Sequence, residues 1–283
     1  MRLILVEGLP ASGKSTIAKI ADKVLKRMGI ETKLYLEGNL EHPADYDGVA
    51  YFNKEEFEQL LYKYSSFIKR IEKFVETKES CYLISYVKAK NSIEDLIPEE
   101  FFEEIAKRDI YEMPLELHIK LLTDKWKEFV KVAKNEDVTY IFDCCFIQNP
   151  ITTSMIRSNS SKEKSFDYIK KLAEIVEECN PIIIYVNQRD IEASFMKVID
   201  ERPKEWLSFF INYSTTQGYG KANNLSGLKG TFEVLKARKE LEREILGQLA
   251  IDKYIIDNSQ YSIEGTTKEI SDVLKCYYDT KDC

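Results

Sequence analysis

Residues 3–6 form a short apolar run, followed at once by Gly8-Leu9-Pro10-Ala11-Ser12-Gly13-Lys14-Ser15-Thr16. Apolar residues then recur at helical spacing through Ile17, Ile20, Ala21, Val24 and Met28. A strand that turns through two glycines straight into a helix admits few folds. Gly8 and Gly13 let the backbone bend so that several N–H groups converge on one point. The helix starting near Lys14 adds unpaired N–H groups and the positive end of its dipole. Gly-x-x-x-x-Gly-Lys-Ser is the spacing of a phosphate-binding loop, so residues 8–16 are the expected nucleotide cradle. Lys14 would reach the β and γ phosphates of ATP, and the Ser15 hydroxyl would ligate Mg²⁺.

The rest of the chain alternates short apolar runs with longer amphipathic ones, the pattern of a parallel sheet covered by helices. The expected strands are residues 3–6, 33–36, 139–143, 182–186 and 254–257. Helical stripes run through Phe166, Ile169, Ala173 and Val176, through Phe232, Leu235, Leu241, Ile245 and Leu249, and through Ile270, Val273, Leu274 and Tyr277. The fold class is therefore α/β: a three-layer sandwich around a five-stranded parallel sheet, one domain over residues 1–283.

About ninety residues separate the second and third strands, where a crossover needs a dozen or more. Residues 46–135 read as a mostly helical insertion that forms the acceptor pocket. One long helix is marked by Phe57, Leu60, Leu61, Tyr64, Phe67, Ile71, Phe74 and Val75, another by Leu115, Leu122, Trp126, Phe129 and Ala133. Residues 81–87 fit either a short strand or the tail of a helix. Glycines 218, 220, 227 and 230 cluster in a glycine-poor chain, which marks residues 200–230 as a mobile closing segment.

A net charge of −7 argues against a general nucleic-acid binder, which needs a basic surface. No apolar run approaches the ~20 residues that span a bilayer, and the first residues already read as a core strand, so a cytoplasmic protein without membrane contact is expected. The six cysteines, at 81, 144, 145, 179, 276 and 283, show no CxxC spacing and read as reduced thiols; Cys144 and Cys145 read as strand-end packing in preference to a redox or metal pair. Two histidines, His42 and His118, leave little for a histidine-built site. A homodimer is left open.

Three acidic or polar places accompany the loop. Asp143 ends the third strand, where a second magnesium partner belongs. Glu37 follows the second strand and could take a proton from an attacking hydroxyl or bind the acceptor. His42, in the polar stretch after it, and Gln148 and Asn149, just past Asp143, could shape the acceptor pocket. After the fourth strand the chain reads Asn187-Gln188-Arg189-Asp190. Asn-x-x-Asp there is how GTPases read guanine, but Gln188 stands where they carry Lys and Asp143 is followed by Cys144-Cys145-Phe146, without their glycine.

The opening strand-loop-helix, the acidic ends of the second and third strands, the insertion between them and an Arg-bearing helix after the fourth strand resemble the nucleoside-kinase and nucleoside-monophosphate-kinase-like group of P-loop kinases, which includes antibiotic phosphotransferases. That resemblance implies a sheet of the P-loop NTPase type. It also implies an ATP- and Mg²⁺-dependent kinase acting on a small-molecule acceptor, and an arginine on a lid over the nucleotide. Arg202 stands where such a residue is expected and Arg189 and Arg238 are weaker candidates; a surface arginine is the alternative reading of each, and the stronger one for Arg189 and Arg238. The usual arginine-dense lid is absent, so Lys221 and Lys229 could stand in. Asp257-Asn258-Ser259 falls where related kinases pass near the base. The alternative class is a regulatory P-loop ATPase or GTPase switch that binds a protein.

Overall fold

A computed structural model describes residues 1–93 and 96–279. In chain order the elements are β1 (Arg2–Glu7), α1 (Lys14–Arg27), β2 (Thr32–Tyr35), β3 (Ala50–Asn53), α2 (Lys54–Lys63), α3 (Ile68–Ile71), β4 (Val75–Thr77), β5 (Cys81–Ile84), α4 (Tyr86–Ile93), α5 (Glu99–Ala106), α6 (Leu115–Ala133) and β6 (Thr139–Asp143). There follow α7 (Gln148–Ile151), α8 (Lys162–Val176), β7 (Pro181–Asn187), α9 (Ile191–Glu201), α10 (Lys204–Thr215), α11 (Gly218–Ala222), α12 (Gly227–Gln248), β8 (Asp252–Asp257) and α13 (Ile263–Asp279).

The chain divides into two packed units, and all five expected core strands fall in the first, Met1–Glu37 with the described residues from Trp126 on. They form one sheet in the order β2-β6-β1-β7-β8 with every pairing parallel. Parallel strands must be buried on both faces, and β1 meets that demand with Leu3, Ile4, Leu5 and Val6 all fully buried. Ile4 and Val6 face one side, where they pack with Ile17, Ala21 and Val24 of α1 and Ile270 and Leu274 of α13. On the other side Phe142 of β6 meets the Trp126 and Phe129 rings of α6 at 5.7 and 4.9 Å, and the Tyr185 hydroxyl of β7 donates to Glu242 of α12 at 2.7 Å. Helices thus cover both faces, and the connections leave β1 in opposite directions across the sheet. Carboxyl strand ends at such a reversal open a crevice for ligands.

The second unit, Gly38–Lys125, starts eight residues before the expected insertion of 46–135 and ends ten residues before it does. It is less helical than the sequence suggested. β3, β5 and β4 form a three-stranded antiparallel sheet packed under Phe57, Leu60, Phe101 and Ile105. The long helix expected from Phe57 to Val75 is broken. α2 stops at Lys63, a short α3 follows, and Val75 starts β4 by pairing with Ile84. The break falls at the turn that holds Ser65 and Ser66, residues that favour turns over helix interiors. Residues 81–87 split between the two readings, β5 first and α4 from Tyr86.

Residues 200–230 are built of α10, α11 and the start of α12. Two of the clustered glycines serve close packing: a Cβ on Gly218 would fall 2.0 Å from the Ile156 carbonyl oxygen, and one on Gly220 would fall 2.1 Å from that of Ser214. Among the described residues no helix is long and apolar enough to cross a membrane. Cys283 lies outside the described residues.

Candidate functional site

The loop from Gly8 to Ser15 leaves the carboxyl end of β1 in the middle of the sheet. Pro10 and Ala11 occupy the centre of a turn closed by Ser12 N–H donating to the Leu9 carbonyl at 3.2 Å, and Ala11 adopts φ 68°. A left-handed conformation costs a non-glycine residue about 1–2 kcal/mol. Packing of Ala11 against the Phe195, Phe232 and Leu235 cluster offsets that cost. Cys144, directly after Asp143, holds φ 69° and donates its N–H to the Val6 carbonyl at 3.1 Å. Strained backbone at two neighbouring strand ends marks a place the surrounding fold over-determines.

Side chains just past the ends of β7 and β8 brace the loop from behind. Gln188 Nε2 donates to the Ser12 carbonyl at 3.0 Å and to that of Asn258 at 3.1 Å, and Asn258 Nδ2 donates to the same Ser12 oxygen at 2.9 Å. Both loop glycines are required by this closeness. A Cβ on Gly8 would lie 2.5 Å from the Val186 carbonyl oxygen, and one on Gly13 would lie 2.4 Å from Asn258 Nδ2. With the Ser12 carbonyl held back and its N–H closing the turn, the N–H groups of Gly13, Lys14 and Ser15 are left for a ligand. Gln188, a departure from the GTPase pattern in the sequence, is thus a structural clamp.

Lys14 is nearly buried, and its Nζ donates to the Leu9 carbonyl at 2.9 Å, which seats the ammonium within the loop. Ser15 Oγ donates to Asp143 Oδ2 at 2.5 Å, so the loop and the end of β6 meet across the sheet. Burial raises the Asp143 pKa, Lys14 and the Ser15 hydroxyl pull it back, and Glu37 acts both ways, its charge raising it and its backbone N–H lowering it. The second oxygen of Asp143 is buried without a hydrogen-bond partner, as are Ser12 Oγ and Gln148 Oε1. Three unsatisfied polar atoms around one loop describe a surface that awaits polar company. A hydroxyl, a carboxylate oxygen without a partner and an adjacent ammonium suit Mg²⁺ with phosphate. Among the described residues no group of three or more His, Cys, Asp and Glu side chains could hold a metal by itself.

Beside Asp143 the chain runs back through Phe146 and Gln148, held by a residue the sequence reading missed. Glu7, the last residue of β1, is fully buried and accepts from the Phe146 and Gln148 N–H groups, both at 2.8 Å. Arg238 donates to the Gln148 carbonyl at 2.7 Å and to Thr152 Oγ1 at 3.0 Å, with Glu242 as its ion partner at 2.7 Å. The surface reading of Arg238 is therefore wrong: it is 1% exposed and holds the segment from below. So fixed, Gln148 Nε2 donates to Glu37 Oε1 at 3.0 Å, joining two expected acceptor residues. Asn149 follows in α7, its N–H donating to the Cys144 carbonyl at 3.1 Å.

Burial raises the Glu7 pKa from 4.5 to about 8, against the two amides and Lys14, which lower it. Across about pH 4.5 to 8 the folded chain keeps a proton that the unfolded chain has released. Glu7 therefore makes stability fall as pH rises through that window, by up to roughly 1.4 kcal/mol per unit, with no further change above it. Denaturant melts of wild type and Glu7→Gln between pH 5 and 8 check this. The wild type is expected to lose stability more steeply than the variant, and parallel curves would count against a buried, proton-holding Glu7.

The other expected site residues have settings of their own. His42 belongs to the second unit, where it accepts from the Ala44 N–H at 3.1 Å, and burial with Lys125 nearby lowers its pKa to about 3. It is thus neutral at any ordinary pH. Arg202 is exposed at the end of α9 with its guanidinium 5.9 Å from the centre of the Trp206 ring, and it makes no hydrogen bond or ion pair with the loop among the described residues. Arg189 pairs with Asp257 at 2.6 Å. It lines an open cleft of about 900 Å³ with Asp190, Tyr219, Lys236, Lys239 and Arg243. Cys144 is buried and its thiol pKa is pushed well up, which fits packing and not redox chemistry.

The chain matches no family model and no curated protein sequence.

Proposed function

We propose that the chain is an ATP- and Mg²⁺-dependent phosphotransferase that moves the γ-phosphoryl group of ATP to a hydroxyl or phosphate of a small molecule. In this reading the first unit is a P-loop fold of the kinase group its sequence resembles. The observation that carries it is the 2.5 Å contact between Ser15 and Asp143, made at a glycine-braced loop where Asp143 keeps an oxygen without a partner. The N–H groups of Ala11, Gly13, Lys14 and Ser15 bind the β and γ phosphates, and Lys14 Nζ leaves the Leu9 carbonyl to meet them. Ser15 and Asp143 would hold Mg²⁺, which supplies neutralisation of phosphate charge. Glu37 stands next to Gln148 as the proton acceptor. With so little covalent work for the protein, rate enhancement comes from positioning and charge. The open cleft beside Gln188 offers volume for the rest of the nucleotide.

Incubation with γ-labelled ATP, Mg²⁺ and a set of nucleosides, nucleotides, sugars and aminoglycosides tests the proposal. Label on an acceptor is the expected outcome. Slow release of free phosphate with every acceptor unlabelled would favour a regulatory switch.

A further inference from the structure

Two hydrogen-bond acceptors stand side by side at the acceptor end of the site. Gln148 is 5% exposed, and its amide donates to Glu37, so its oxygen points away from that carboxylate and is buried without a partner. Rotation of the amide would set that oxygen against Glu37, acceptor to acceptor. Rotation of the backbone is blocked by Glu7 on the Gln148 N–H and Arg238 on its carbonyl. What remains for a ligand is one carboxylate and one amide oxygen, both calling for O–H or N–H groups.

The charge around them has the same sign. Glu37 and Asp143 are both carboxylates, one beside Gln148 and the other beside Ser15, and Lys14 serves the loop and the phosphates of ATP. Arg238, the arginine that reaches this segment, is neutralised by the fully buried Glu242. A phosphate monoester brings close to two negative charges and oxygens that need arginine or lysine donors. It would meet the Glu37 carboxylate here.

We infer that the phosphoryl acceptor is a neutral or cationic hydroxyl compound, a nucleoside, sugar or aminoglycoside in class, and not a phosphate ester. This rests on the phosphotransfer reading. The acceptor oxygen forms a bond to the γ-phosphorus while the bond from that phosphorus to the β–γ bridging oxygen breaks. ADP leaves with the electron pair, and the hydroxyl proton passes to Glu37. Gln148 Oε1 accepts from a second donor on the same molecule and fixes its orientation.

The test uses matched pairs: each hydroxyl compound beside its own phosphate monoester, with γ-labelled ATP and Mg²⁺, after ATP binding has been measured by calorimetry. Transfer to the hydroxyl parent is expected to exceed transfer to its phosphate by about a hundredfold or more, because like charges brought together cost several kcal/mol. Gln148→Leu is expected to raise the KM of the hydroxyl acceptor about tenfold and leave ATP affinity alone. Faster diphosphate formation from any monoester, or ATP binding without transfer to any hydroxyl compound, overturns the inference. Absence of ATP binding overturns the phosphotransfer reading beneath it.

Discussion

Replacing Lys14 by Ala is expected to lower phosphoryl transfer by at least about a thousandfold and to leave the fold intact. Its ammonium is the cation seated inside the loop, 2.9 Å from the Leu9 carbonyl, and it also eases the burial of Asp143. A charge placed where phosphate charge develops is among the larger single contributions to catalysis in a water-poor site. The structural loss is small by comparison, since the Leu9 carbonyl already accepts the Ser12 N–H. The checks are the transfer rate and the thermal melt of the variant. Transfer within tenfold of wild type, in a variant that melts normally, would remove Lys14 from the mechanism.

Arg238→Ala is expected to be the most damaging change to stability, at about 3–5 kcal/mol, because it strands a buried carboxylate. Glu242 is fully buried and would keep only the Tyr185 hydroxyl, while the Gln148 carbonyl and Thr152 hydroxyl would lose their donor. Removing both charges with Arg238→Met and Glu242→Leu is expected to recover part of the loss, since a buried pair is often worth no more than apolar packing of similar size. Denaturant unfolding of the single and double variants decides between these outcomes. A single variant that loses under 1 kcal/mol would show that water reaches Glu242.

The sheet was legible because strands buried on both faces must be apolar throughout, and the runs around Leu5, Ile141 and Ile184 are so. The loop was legible because phosphate binding needs glycines, a lysine and a hydroxyl at fixed spacing. Glu7 was hidden by its place: an acid at a strand end reads as the edge of the run, although an acid inside a buried strand ahead of Gly8 was itself a signal. Arg238 could have been found. Leu235, Arg238, Glu242 and Ile245 share one helical stripe, so the ion pair sits among residues that had to be buried. The broken helix in the second unit went unseen because Phe67, Ile71, Phe74 and Val75, spread from a turn through α3 to the start of β4, happen to continue the helical period of α2. The clamp that Gln188 and Asn258 make on Ser12 has no local signature, since it joins positions 176 and 246 residues apart.

The most direct measurement is an isothermal titration of the full chain with ATP in the presence of Mg²⁺, repeated without the metal and with Asp143→Asn. Saturable heat that weakens when the metal is withheld, and weakens likewise in the variant, is expected from a loop whose Ser15 and Asp143 share a cation. No heat with ATP or GTP at millimolar Mg²⁺ would contradict a nucleotide site at residues 8–15.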